Sequence, residues 1–327
     1  MPHQLTESDR AVLAELLKMK LSKREIARRL GKHHSTIYRE LARNTGPVGY
    51  LYQEAQQRTN VRRRLGRRPR KMNDPQLRKY VCRRLKQFWS PDQIAGRLEL
   101  ERRRPREAQV SRQTIYAWIR ARPVEERDRW RRCLRFGVSR RKRRADAGRL
   151  PNAVRIDGRP AIVASRRRYG DWEGDTIVGR AHASGLVSLV ERKSGFTLLS
   201  RVSNRRAATV RTAAQERMAL LPESLRRTMT FDNGKEFAEH DQLSAATGLA
   251  IYFAQPYAAW QRGTNEHTNG LVRQYVPKGT DFNATSHRAV AAIESSLNDR
   301  PRKRLGYRTP REVLQQYAQR RRVAFDV

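Results

Sequence analysis

Three carboxylates in the second half of the chain stand where their chemistry could combine. Asp175 lies inside the strand-like run Trp172–Val178, and Asp232 follows a second such run, Thr228–Phe231. Glu266 falls in a helical stretch after Trp260-Gln261-Arg262-Gly263, with 33 residues (233 to 265) between it and Asp232. Hard oxygen ligands of this kind suit Mg2+, two ions in this case, with Mn2+ as a substitute; such ions keep several waters and take remaining ligands from a phosphate. Two ions about 4 Å apart can activate an attacking oxygen and stabilise a leaving one in an in-line phosphoryl transfer. Arg273, seven residues beyond Glu266, returns to the same helical face after two turns, where a cation can hold a phosphate backbone. Singly, each acid reads as ordinary surface, and Asp171, Glu173, Glu191 and Glu236 are nearby acids without a role. The joint order of strand, strand end and helix singles out the three.

For these side chains to meet, the elements between them must form one sheet. Leu186–Val190 and Phe196–Val202 read as strands joined by a hairpin turn at Lys193-Ser194-Gly195. Ala207–Leu221 has helical periodicity and stops at Pro222, a helix near Glu239–Thr247 is closed by Gly248, and Ala250–Ala254 reads as a last strand. The resulting order predicts an α/β RNase H-like domain with a mixed five-stranded sheet, in which the first and fourth strands are central neighbours. A helix over Ser286–Asn298 and the basic cluster Arg302, Lys303 and Arg304 close the domain. Tyr257 and Trp260, just before Glu266, are placed either to stack on an unpaired base or to pack into the core.

The first half reads as all-α. Lys and Arg number 71 against 32 acidic residues, a net charge of +39 over 327 residues. Self-repulsion on that scale opposes compaction, so a polyanion is the expected partner, and nucleic acid supplies one through phosphate neutralisation. After an amphipathic helix over Glu7–Met19, with Val12, Leu13, Leu16 and Leu17 toward a core, Ser22 and Glu25 fit a capping box. Ile26 and Leu30 share a face, Gly31 ends the helix, and Ile37 and Leu41 place a further helix. This is a helix-turn-helix whose last helix offers His34, Ser35, Thr36, Arg39 and Arg43 to DNA. The layout recurs: Trp89–Leu98 matches Leu21–Leu30, and Gln113-Thr114-Ile115-Tyr116 matches Ser35-Thr36-Ile37-Tyr38, across an insertion near Glu99–Ala108. Arg112, Gln113 and Thr114, together with Arg262, are further expected DNA contacts.

The expected division is a first helix-turn-helix domain over 1–45, a basic linker over 46–73 and a second helix-turn-helix domain over 74–125. A basic region over 126–165 and the catalytic domain over 166–327 complete it. Arg62-Arg63-Arg64, Arg67-Arg68 and Arg70-Lys71 suit an extended linker along a phosphate backbone; Arg131-Arg132, Arg135 and Arg140–Arg144 form a second basic run. Cys82 and Cys133 are too few for a disulfide framework and read as buried thiols. The histidines show no metal-ligand spacing. No apolar run reaches the roughly 20 residues of a membrane span and no signal-peptide core opens the chain, so a soluble, cytoplasmic protein is expected.

GDWEGDTIVG (Gly170–Gly179), TFDNGKEF (Thr230–Phe237) and WQRGTNEHTNGLVRQY (Trp260–Tyr275) resemble the three catalytic-core blocks of the insertion-sequence family thirty transposases. STIYRELARN (Ser35–Asn44) is similar to that family's first DNA-binding unit. His267 departs from the uncharged polar residue common after the glutamate. The resemblance implies a DDE triad of Asp175, Asp232 and Glu266, with Arg273 as basic companion. It also implies binding of the element's terminal inverted repeats, hydrolysis exposing a 3′-OH, and joining of that end to target DNA. Two ends must be held, which implies at least a dimer on double-stranded DNA. Two other readings share these residues: a catalytically idle DNA-binding regulator derived from a transposase, and an integrase of another mobile element.

Overall fold

The computed structural model describes residues 4–65, 71–101, 109–134, 152–255 and 258–322. It divides into two compact units, 1–70 and 71–327. Arg67, Arg68, Arg70, Arg135, Arg140–Arg144, Tyr257 and residues 102–108 of the insertion lie outside the described residues.

In the first unit, α1 (Glu7–Lys18) opens on a reciprocal capping box between Thr6 and Asp9. Helix α2 (Lys23–Arg29) is capped by Ser22, which accepts from the Glu25 amide at 3.2 Å. The returning half expected of that box is replaced: the Glu25 carboxylate turns outward to Arg28 and Arg29. Helix α3 (His34–Asn44) follows, and Leu5, Leu13, Leu16, Ile26, Ala27, Ile37 and Leu41 form the shared core. Val12, expected in that core, is exposed. Where an extended basic linker was expected, the chain forms α4 (Tyr52–Leu65). Its attachment is polar. Arg10, buried on α1, donates to Glu40 at 2.6 Å and to Gln56 of α4 at 2.8 Å, while Arg62 of α4 donates to Arg43 O and Asn44 Oδ1 at the end of α3.

The second unit begins with four helices: α5 (Pro75–Lys86), α6 (Pro91–Glu101), α7 (Arg112–Arg120) and α8 (Val124–Arg132). Leu77, Val81, Leu85, Trp89, Ile94, Leu98, Val110, Ile115, Ile119 and Trp130 make their core, with Cys82 and Cys133 half-buried against it rather than buried. A short α9 (Ala161–Ser165) then leads into the sheet.

The strands are β1 (Asp171–Val178), β2 (Gly185–Glu191), β3 (Thr197–Val202), β4 (Thr228–Phe231) and β5 (Ala250–Phe253). Their spatial order is β3-β2-β1-β4-β5, antiparallel across β3, β2 and β1 and parallel from β1 to β4 and β5. This is the RNase H-like arrangement read from the sequence, with β1 central. Gly195 takes φ +73° at the β2–β3 turn, a left-handed conformation in which a Cβ would be strained. Both faces of the sheet are covered. Trp172 packs with α10 (Ala207–Ala219), α11 (His240–Thr247) and Leu314 of α14 (Pro310–Arg321). Ile177, five residues on and so pointing the other way, packs with α12 (Gly263–Val272) and α13 (His287–Asn298). Among the described residues, no helix is long and apolar enough to cross a membrane.

Candidate active site

Strand periodicity places Glu173, Asp175 and Ile177 on the α12 side of β1. The parallel register pairs Glu173 with Thr230, so two residues further on it sets Asp175 level with Asp232 on the neighbouring strand. Each carboxylate is held by its own turn: Thr176 N donates to Asp175 Oδ1 at 2.9 Å, and Gly234 N donates to Asp232 Oδ1 at 3.0 Å.

Between them lies Arg262. Its guanidinium donates to Asp232 Oδ2 at 2.9 Å and to Gly174 O at 3.1 Å, and stands 3.7 Å from Asp175 Oδ2. Read from the sequence as a DNA contact, Arg262 therefore sits inside the carboxylate pair as its counter-charge. Asn269 completes the setting: its Nδ2 donates to Asp175 Oδ2 at 2.8 Å, and its Oδ1 accepts from Ser188, which faces Asp175 across β2. Burial raises the Asp175 carboxyl to about 6; Arg262 opposes that shift and the Asp232 charge adds to it.

Glu266 is exposed in the first turn of α12. Residues 262, 266, 269 and 273 follow one another at steps of four, three and four, which is one stripe of a helix. Three of the four grip β1 or its neighbour, so Glu266 rides on the stripe between the two partners of Asp175. Arg273, at the end of the stripe, donates to Val178 O at 2.8 Å and to Pro277 O at 3.2 Å. Its guanidinium thus fastens the end of α12 to the end of β1. The signal for Asn269 in the sequence is its place three residues beyond Glu266, one step along the same helical face.

Among the described residues, no three His, Cys, Asp or Glu side chains are gathered as a cage for an ion. The donor chemistry nonetheless fits a hard divalent cation: two carboxylates converge in a site dry enough to raise the pKa of one, and a positive group already stands between them. The neighbouring acids are engaged elsewhere. Asp171 binds Arg168 and Thr228, Glu191 accepts from Ser194, and Glu236 binds Thr176 and Arg205. Asn233 braces the end of β4 through Arg155 and Ala254 O.

Of the residues expected from the sequence to contact DNA, His34, Arg39 and Arg43 are exposed along α3, with Ser35 and Thr36 partly so. Arg39 is folded along its own helix onto Ser35 O at 3.1 Å and Ser35 Oγ at 2.9 Å. In the second unit Arg112 and Gln113 are exposed on α7; Arg112 reaches Asp92 at 3.3 Å and Thr114 is tied to the cap residue Ser111.

Residues 2–44 match a family model described as a helix-turn-helix domain. The chain is 38% identical to the transposase of insertion sequence element IS4351 from Bacteroides fragilis, over 99% of both chains. It is 41% identical to that of IS1086 from Cupriavidus metallidurans, over 90% of this chain and 89% of the relative. It is 36% identical to that of IS30A from Escherichia coli, over 95% of this chain and 83% of the relative. Identity at this level across both the helical half and the sheet places the chain in the insertion-sequence family thirty transposases.

Proposed function

We propose that Asp175, Asp232 and Glu266 form the site at which this transposase cuts the ends of its element and joins them to target DNA. The observation that carries this reading is the convergence of Asp175 and Asp232 around Arg262 at the ends of two parallel central strands. Mg2+, or Mn2+ in its place, bound there would supply activation of the attacking oxygen and neutralisation of the leaving one. The two aspartates would hold ions on the strand side and Glu266 on the helix side. Asn269 keeps the outer oxygen of Asp175 oriented, and Ser188 fixes Asn269 in turn. Arg262 balances the carboxylates and is assigned a second part as a contact to the scissile strand; Arg273 holds the helix register and adds positive potential beside it. Water and then a 3′-OH serve as nucleophiles, and positioning with charge stabilisation accounts for the rate. His34, Ser35, Thr36, Arg39 and Arg43, with Arg112, Gln113 and Thr114, bind the terminal repeats. At least two copies hold the two ends, in the bacterial cytoplasm where chromosomal target DNA lies.

Asp232→Asn tests the assignment. End cleavage should fall at least about 10³-fold, because ions in such a site supply several kcal/mol of charge stabilisation, while gel-shift affinity for the ends stays close to that of the unaltered protein. Retained cleavage sinks the triad. Tight, salt-sensitive end binding without any metal-dependent nick by the unaltered chain would favour the idle regulator.

A further inference from the structure

The first turn of an α-helix leaves backbone N–H groups without partners inside the helix. Helix α12 begins after Arg262, which provides no side-chain cap. The partner comes from another element: Glu173 Oε2 on β1 accepts the Asn265 N–H at 2.8 Å. Asn265 is the third residue of α12 and the immediate neighbour of Glu266. A carboxylate at this end of a helix also meets the favourable pole of its dipole. Glu173 is wholly buried, and its other oxygen accepts from Arg192 Nε at 2.9 Å. Arg192 is itself buried in the β2–β3 turn and donates onward to Val163 O of α9 at 2.7 Å. A buried pair of this kind gains little stability over apolar residues of the same volume. What it does provide is a fixed anionic acceptor on β1, two residues before Asp175 and on the same strand face, aimed at the turn that carries Glu266.

From this placement we infer that Glu173 is a positioning residue for the reaction: it sets Glu266 against Asp175 and Asp232 by fastening the first turn of α12. The inference rests on Glu266 belonging to the site as proposed above. Arg262, Asn269 and Arg273 also tie α12 to β1, but the Glu173 bond is the one made by the backbone next to Glu266.

The test uses the full-length protein, cleavage kinetics on element-end DNA, calorimetric binding of Mn2+ alone, and thermal melting. Glu173→Gln keeps an oxygen for the Asn265 N–H and should lose less than about tenfold in kcat, whereas Glu173→Ala should lose about 10²-fold, the cost of misplacing a reacting group by roughly 1 Å. KM for end DNA should stay within about twofold in both, since ordinary transition-state losses leave binding untouched. Because Glu173→Ala strands the Arg192 charge, the double variant Glu173→Leu/Arg192→Met replaces the pair with apolar groups; it should melt as the unaltered protein does and still lose cleavage. Mn2+ affinity should fall in Glu173→Ala, and the same change made on a Glu266→Ala background should produce no further fall. A Leu/Met variant that cleaves as the unaltered protein does overturns the role of Glu173 alone. An additive loss of Mn2+ affinity on the Glu266→Ala background overturns it too, because Glu173 then acts on something other than Glu266. If the unaltered protein neither binds Mn2+ nor cleaves, both this inference and the assignment of the site fall.

Discussion

The segments Leu21–Leu30 and Trp89–Leu98 share a layout residue for residue, yet the helices they form, α2 and α6, face different surroundings. Ser22, Glu25, Ile26, Ala27, Arg28, Arg29 and Leu30 correspond to Ser90, Gln93, Ile94, Ala95, Gly96, Arg97 and Leu98. In the first unit Arg28 is 79% exposed, and Arg29 pairs with Glu25 one turn back. In the second, the same stripe of α6 is a docking face. Gly96 lies against the Tyr307 ring so closely that a Cβ would overlap it, and the Tyr307 hydroxyl donates to Asp92. Arg97 makes two bonds to Glu312 of α14, at 2.8 and 2.6 Å, and Gln93 donates to Pro301 O while accepting from Arg300. The second helical unit is thus fixed to the RNase H-like domain by α6, the helix that precedes α7. The helices α5 to α8 are fixed to the domain that carries the carboxylates; the unit 1–70 has its own core and its own polar hub at Arg10 and Glu40.

The sharpest way to break this comparison is to make the equivalent positions alike. Gly96→Leu should cost about 1–3 kcal/mol of stability, because the added side chain has no room beneath Tyr307. The matched change Arg28→Leu should stay within about 0.5 kcal/mol, as exposed sites generally do. Chemical denaturation measures both, and equal effects would refute the docking. With α6 displaced, end cleavage by Gly96→Leu should also lose its fixed position, so a sequencing gel should show several nick sites where the unaltered protein makes one.

How much of this was readable beforehand follows from where the chemistry lies. The five strands were legible because apolar runs alternate with turn residues, and the left-handed Gly195 punctuates the hairpin. The pairing of Asp175 with Asp232 followed from strand order alone. Helix α4 was illegible: its partners are Arg58 and Arg62 gripping the end of α3, so Ala55 is its one fully buried apolar residue among those described and no stripe reveals it. Helix α14 was missed although Thr309 and Glu312 form a capping box around Pro310, a signal that sequence alone carries. Glu173 is one of four acids near the three carboxylates that nothing in the sequence sets apart. A glutamate in Trp-Glu-Gly-Asp looks like surface until β1 is known to be central and covered on both faces. Docking of α6 left one trace, a glycine where the repeat has arginine.

Helices α3 and α7 offer a second contrast of intermediate size. Arg39 of α3 corresponds to Ala117 of α7, so a long, forked donor is available at that position only in the first unit. Its guanidinium is already aligned by Ser35, which reduces the ordering cost of a base contact. Arg39→Ala should weaken binding to the element's ends by about 1–3 kcal/mol and to random DNA by less. Titrations on both duplexes at one salt concentration check this, and equal losses would make Arg39 a phosphate contact and leave base reading to the second unit.

The smallest effect concerns the ion pair between α6 and α14. Arg97 and Glu312 are partly exposed, so solvent screening keeps their contribution near about 1 kcal/mol despite the two-point geometry. Hydrogen bonds from Arg97 hold the Glu312 carboxyl below the ordinary glutamate range. A carboxyl whose pKa is lower folded than unfolded stabilises the fold above its unfolded value and ceases to do so as the pH falls through the folded one. The docking should therefore persist down to the ordinary glutamate value of 4.5 and weaken only as the pH falls below it, and Glu312→Gln should flatten that part of the stability curve. In the first unit the equivalent pair, Glu25 with Arg28 and Arg29, lies on one exposed helix and joins nothing else. Glu25→Gln should change the melting of an isolated 1–65 fragment very little, while Glu312→Gln should loosen the hold of α6 on the sheet domain. Matching shifts from the two substitutions would mean that the Arg97 pair is surface decoration, and that Gly96 and Tyr307 dock the second unit by shape alone.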